Sequence, residues 1–273
     1  MNLVLAALDA SPFAPTVLAT AVGVGRLTGA AVEAIHVRAD PDEPVDVIGS
    51  VADRAGVRLR IVDGDPGRAL IDTLRGHGTI ALVIGGRARS RPAAPRTWHV
   101  ARAVLEQTNA PVIVVPSGSD AHDEIRRLPV PLEGSDVSSR SVLEQLVPLV
   151  ASDVELEVLH VFTVATVPTM LDQPAYDLDT LGREFLRRHF PHPCSIEFRG
   201  GGVVEQVTRV AVEHHMDLIA LSWSQSPSPL HARVIRGVLD DSTLPVLLLP
   251  VLPPGATAAG ADPGGGAIVA GDA

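Results

Sequence analysis

The chain has 273 residues, 46% of them hydrophobic and 20% charged, which exceeds what one small domain needs and supplies apolar material for two cores. A net charge of −10 argues against a nucleic-acid backbone as partner, because that binding depends on clustered cations. Aromatic residues are only 3%, so base-stacking platforms are scarce and the interior must be built from Val, Leu, Ile and Ala.

The first apolar run, Leu3 to Leu8, reads as a strand. It leads through Asp9-Ala10-Ser11-Pro12 into an Ala/Val/Leu-rich helix stopped at Gly29, with Ser11 as the expected N-cap and Pro12 at the first helical position. Ala31 to Val37 follows as a second strand, Val45 to Ala55 as a short helix and Val57 to Val62 as a third strand. Asp65-Pro66 opens a helix carrying Ala69, Leu70 and Leu74, and Ile80 to Ile84 is a fourth strand. After an Arg- and Pro-rich loop, Thr97 to Thr108 is helical and Pro111 to Val115 is a fifth strand. Strands apolar on both faces that alternate with helices indicate a doubly wound parallel sheet.

The same order then repeats: Val130 to Leu132, Val137 to Val150, Val154 to Val161, Leu181 to Arg188, Ser195 to Phe198, Val203 to His215, Leu218 to Leu221, Arg233 to Leu239 and Val246 to Leu249. Glu33-Ala-Ile-His36-Val37 matches Glu157-Val-Leu-His160-Val161, and Asp9 matches Glu133, while Pro111 to Pro116 matches Pro245 to Pro250. The expectation is two tandem five-stranded α/β domains, Rossmann-like, spanning 1–117 and 127–252 and joined by a polar linker at 118–126. The Gly-, Ala- and Pro-rich segment 253–273 has almost nothing to bury and is expected to be disordered. Cys194 is the only cysteine, no basic leader precedes the apolar start, and no run of about 20 apolar residues is present. A cytoplasmic protein without a membrane partner is therefore expected.

The turn Ala6-Ala7-Leu8-Asp9-Ala10-Ser11, the strand ending His36-Val37, the opening Gly64-Asp65-Pro66, the strand ending Val83-Ile84-Gly85-Gly86-Arg87 and the segment Ala110 to Pro116 together resemble a universal stress protein domain. Pro131 to Ser135, Leu159-His160-Val161, Ala220-Leu221-Ser222 and Leu244-Pro245-Val246 resemble it a second time. The resemblance implies the adenine nucleotide alpha hydrolase-like fold, frequent dimerisation through the last strand, and membership of either an ATP-binding or a non-binding group. Self-association or a protein partner at the last strands is thus expected, although two fused domains can also pair those strands within one chain.

Binders resemble one another in a glycine signature after strand 4, where backbone N–H groups approach phosphate. Here Gly85 fits the first glycine, but Ala88 stands at the second and Trp98-His99 occupy the Gly-Ser positions. In the second half Ser222, Gln225 and Ala232-Arg233 stand near those places. Asp9 and Val37 match positions that contact adenosine in binders, while Asp9 is equally explained as a cap on the turn into the first helix. Arg87, Arg89, Arg91 and Arg96 form either an anion site replacing the lost glycines or a solvated basic loop. The candidate nucleotide residues are therefore Asp9, Val37, Gly85, Arg87, Arg89, Trp98 and His99.

His189, His192, His214 and His215 lack the i, i+4 spacing of a helical zinc motif and no metal is expected from them. His36 and His160 end equivalent strands and read as a duplicated structural pair or as residues facing a ligand. No nucleophile elbow or phosphate loop is present, and the chain contains no lysine. The sequence thus favours a non-enzymatic stress-response protein acting by protein interaction, with no assured cofactor. The alternative is an adenine-nucleotide binder using the first domain, with slow hydrolysis.

Overall fold

In a computed structural model the described residues are 2–76, 78–86, 96–132, 142, 145, 146, 154–162, 178–189, 194–224 and 229–251. The expected helix over 137–150 falls largely outside them, with Val142, Gln145 and Leu146 helical, and so does the expected disordered tail. The first half runs β1 (Leu3–Ala7), α1 (Ala14–Thr28), β2 (Ala31–Arg38), α2 (Asp46–Arg54), β3 (Arg58–Asp63), α3 (Pro66–Leu74), β4 (Thr79–Gly85), α4 (Arg96–Gln107) and β5 (Val112–Val115). The second half runs β6 (Arg127–Pro131), β7 (Glu155–Phe162), α5 (Leu178–His189), β8 (Ser195–Gly200), α6 (Val203–Glu213), β9 (Ile219–Trp223), α7 (Pro229–Asp241) and β10 (Val246–Pro250). No helix among the described residues is long and apolar enough to cross a membrane.

Helix boundaries follow local chemistry. Asp65 caps α3 by accepting the Arg68 N–H at 2.9 Å, and Gly29 ends α1 with φ of 64°. The start of α1 differs from the sequence expectation: Phe13 occupies the N-cap and Pro15 the first turn. Ser11 is held in the preceding turn, because its hydroxyl donates to Asp9 Oδ1 and accepts the Phe13 N–H at 3.3 Å.

The first five strands are all parallel, in the order β3-β2-β1-β4-β5. The sheet then continues through β10 and β9, with β10 antiparallel to β5 in the register Val246↔Val114, Leu247↔Ile113 and Leu248↔Val112. The two halves are therefore joined by their last strands inside one chain. Each of these strands has a neighbour on both sides, which corrects the expectation of self-association there: no free edge is left for a second copy. Antiparallel joining also turns the carboxyl ends of the two sets of parallel strands toward opposite edges of the sheet.

The remaining strands form a separate parallel sheet, β6-β7-β8. In place of two intact five-stranded sheets the structure has seven strands and three, and the seam between β6 and β9 has a chemical cause. In the first half the Leu3 N–H donates to Gly78 O on the β4 side, whereas the Leu8 N–H donates to Ile35 O on the β2 side. Alternation then directs the N–H groups of Leu5 and Ala7 toward β4. Their counterparts, 124 positions on, are Pro129 and Pro131, which have no N–H to offer β9. At the start of β6 the Arg126 and Arg127 N–H groups go to the Asp217 carboxylate at 2.8 and 2.9 Å, and Asp217 N donates to Arg127 O at 2.9 Å.

Side chains alternate between two cores, one on each face of the sheet. Val4, Ala6, Leu128, Leu247 and Leu249 share one core with residues of α1 and α2 and with Val142 and Leu146, while Leu5, Leu82, Val246 and Leu248 share the other with residues of α3, α4, α6 and α7. Both cores run through both halves. The expected linker is part of the packing as well: the His122 carbonyl lies 2.3 Å from where a Cβ on Gly23 would stand, and Arg26 donates to Asp123 O at 2.8 Å.

Candidate functional site

Ligands of open parallel sheets bind beyond the carboxyl ends of the strands, where neighbouring connections leave in opposite directions. In the first half that edge is organised by His36, which is buried at 3% exposure. Its Nδ1 lies 2.8 Å from Leu8 O, and Leu8 N donates to Ile35 O at 2.9 Å, so the chain is fixed immediately before Asp9. Asp9 is exposed, and its Oδ1 accepts both the Ser11 N–H at 3.2 Å and the Ser11 hydroxyl at 2.5 Å. The carboxylate thus caps its own turn with one oxygen.

The register Ala7↔Ile35 and Ala7↔Ile84, carried two residues on, sets Asp9 beside Val37 on one side and Gly86 on the other. Asp9, Val37 and Gly85 are therefore brought together at one edge. Of the two glycines, Gly86 has the stricter steric demand: a Cβ there would stand 2.8 Å from Val114 Cγ1 and 3.3 Å from Val115 O. At Gly85 the added atom would touch Val17 Cγ2 at an ordinary 3.4 Å. Trp98 and His99 lie on the first turn of α4, with side chains outside the described residues, as are Arg87 and Arg89.

The second half repeats the histidine device. His160 Nδ1 lies 2.9 Å from Leu132 O, and Leu132 N donates to Leu159 O at 2.9 Å. Burial holds the His160 pKa below the usual imidazole value, and its ring stands edge-on to Phe162 with centroids 4.7 Å apart. The duplicated structural role read from the sequence is what both histidines perform. Glu133 and Gln225 lie outside the described residues.

The strand-4 end of the second half departs from that of the first. Gly85 pairs with Val115 and Ser222 with Leu249, so Ser222 and Trp223 stand where the first half has Gly85 and Gly86. Both are buried, and the Trp223 indole N–H donates to Leu105 O at 3.3 Å. Leu105 belongs to the last turn of α4, whose carbonyls lack partners within the helix, so a side chain from the second half caps a helix of the first. Within the second half, the Gln145 side chain donates to Pro250 O. Sequence reasoning missed Trp223, and the signal for it was its alignment with Gly86.

Of the four histidines singled out in the sequence, His192 and the side chain of His189 lie outside the described residues. His214 caps α6 and meets Glu157 and Glu197, while His215 takes a left-handed φ of 50°. A cleft between α1 and α2, lined by Pro15, Leu18, Val51 and Arg54, leaves out Asp9, Val37 and Gly85. So does a groove between α6 and the α7–β10 turn, lined by Thr208, Val212, Asp241 and Leu244.

No family model matches the chain, and no curated protein does. Solved structures do. A functionally unknown protein from Pseudomonas aeruginosa PAO1 is similar over 92% of this chain and 93% of its own, at 12% identity and a TM-score of 0.62. A universal stress protein from Archaeoglobus fulgidus is similar over 92% and 96%, at 14% identity and a TM-score of 0.57. The cytoplasmic domain of a prokaryotic cation chloride cotransporter is similar over 90% and 94%, at 12% identity and a TM-score of 0.51. The chain thus has the universal stress protein fold, in an arrangement that extends over both halves.

Proposed function

We propose that this is a tandem universal stress protein of the cytoplasm, with repeats at 1–117 and 127–252, that acts in a stress response by binding a protein rather than by catalysis. Its second nucleotide site has been converted to structure. The observation that carries this reading is Trp223, which replaces the position of Gly86 with an indole buried against α4. At the signature position of Gly85 the second half carries Ser222, and the indole of the next residue is committed to α4 of the first half, so this strand end is packed as structure where binders present glycine backbone to phosphate. The loss of the second signature glycine to Ala88 extends the argument to the first half. A protein that has given up phosphate binding on both sides retains a rigid double scaffold, which suits an interaction role.

A second reading is favoured by the convergence of Asp9, Val37 and Gly85 at one exposed edge, where the two Ser11 hydrogen bonds engage only Oδ1 of Asp9. On that reading the first half alone holds an adenine nucleotide, with Arg87 and Arg89 meeting the phosphates by charge. Calorimetric titration with ATP and magnesium separates the two. The preferred reading predicts no binding heat and no thermal shift at millimolar ATP. Saturable binding that weakens in both Asp9→Ala and Arg89→Ala establishes the second.

A further inference from the structure

We propose that Glu157, Glu197 and His214 form a binding site for a divalent transition-metal ion such as Zn2+, at the amino-terminal side of the second half. The three side chains come from β7, β8 and the end of α6, and their ligand atoms all lie within 4.8 Å of one another. His214 Nδ1 is 2.9 Å from Glu157 Oε2, and its Nε2 is 3.8 Å from Glu197 Oε2. One imidazole and two carboxylates is a donor set that suits zinc and its neighbours, with space for water on the exposed side of His214.

The arrangement around these groups resembles the outer shell that metal sites require. Arg199 Nε donates to Glu197 Oε1 at 2.6 Å and its Nη2 to Glu213 Oε2 at 2.7 Å, which orients the Glu197 carboxylate. The other oxygen, Glu197 Oε2, is buried and has no hydrogen-bond partner. It points at His214. Glu157 is itself 8% exposed, so its charge has little access to water.

Charge leads to the same place. With a neutral imidazole, the three carboxylates of Glu157, Glu197 and Glu213 against the one guanidinium of Arg199 leave two negative charges uncompensated. Arg127 stands nearby, but it is paired with Glu155 at 3.3 Å and reaches only the His214 carbonyl, at 3.4 Å. One divalent cation balances the cluster.

The first half is an internal control. Its register places Glu33 and Arg60 where the second half has Glu157 and Glu197, and there the two residues make an ordinary cross-strand ion pair at 3.7 Å. Exchange of that arginine for a glutamate turns a pair of opposite charges into a pair of carboxylates facing a helix-end histidine. The ligands lie 40 and 17 residues apart in the chain, which hid the site from motif spacing.

The test is calorimetric titration of the full chain, stripped with EDTA, with Zn2+ in two buffers of different ionisation enthalpy. The expected result is one zinc per chain, bound with proton release, and binding weakened at least ~10-fold in both Glu197→Gln and His214→Ala but unchanged in Glu33→Gln. Circular dichroism of the metal-free variants establishes that they are folded, and the Co2+ absorption spectrum reports whether an imidazole nitrogen joins the ligand set. Absence of binding heat, or binding that survives in both variants, overturns the proposal.

Discussion

Replacing Trp223 by alanine removes one of the largest buried side chains in the second half, 5% exposed, together with the hydrogen bond that caps α4 of the first. Truncation of a buried tryptophan costs about 3–5 kcal/mol. The bond to Leu105 O accounts for about 1 kcal/mol of that, which Trp223→Phe isolates by keeping an aromatic ring and losing only the donor. Because Leu105 lies in the first half and Trp223 in the second, the loss must be felt by both. Guanidinium denaturation followed by far-ultraviolet circular dichroism measures it in every variant, and fluorescence of the Trp98→Phe protein, where Trp223 is the remaining tryptophan, reports whether that residue is exposed in the same transition. The expected outcome is a single transition whose midpoint falls in Trp223→Phe and falls further in Trp223→Ala. A loss below ~1 kcal/mol, or two transitions of which only one moves, would refute the claim that the indole ties the halves together.

Other substitutions examine other parts of the account. Gly23→Ala places a methyl group 2.3 Å from the His122 carbonyl, so α1 and the linker must separate, with an expected cost of about 1–3 kcal/mol in the same denaturation experiment. Restoring donors with Pro129→Val and Pro131→Val should extend the hydrogen-bonded sheet from β6 to β9, and hydrogen exchange should then find slowly exchanging amides at both positions. Two histidines give opposite pH dependences in metal-free protein. The His160 pKa is lowered by burial, so its contribution is present above the unfolded value near 6.5 and is lost as pH falls through the folded one. The His214 pKa is raised, chiefly by its hydrogen bond to Glu157, so its contribution is present below the unfolded value and is lost as pH rises through the folded one. Thermal melts across this range should lose the acid-side decline in His160→Gln and the alkaline-side decline in His214→Gln.

Much of this was legible because apolar runs and turn residues mark strands and helices locally. The Glu33–Val37 and Glu157–Val161 matches exposed the duplication, and the two histidines took the same bond to the same carbonyl. What escaped was whatever depends on a partner distant in sequence. Ser11-Pro12 reads as a helix start until Asp9 is seen to claim the hydroxyl. Pro131 lies inside the expected strand Val130 to Leu132 and Pro129 just before it, and their effect on the sheet is visible only once β9 lies alongside. Trp223 has no mark in the sequence beyond its place after Ser222, and only its contact with Leu105 gives it a role. Residues 87–95 hold the arginines on which the first-half anion site depends, and they lie outside the described residues.

The account rests most on β5 pairing with β10 inside one chain, which makes the molecule its own dimer. Its outer edges are charged, with Arg58, Arg60 and Asp63 on β3 and Glu197 and Arg199 on β8, and such edges resist pairing with another sheet. Light scattering coupled to size exclusion, over a wide concentration range, measures this directly. A single species at 28.6 kDa is the predicted result. A species of twice that mass, persisting on dilution, would contradict it.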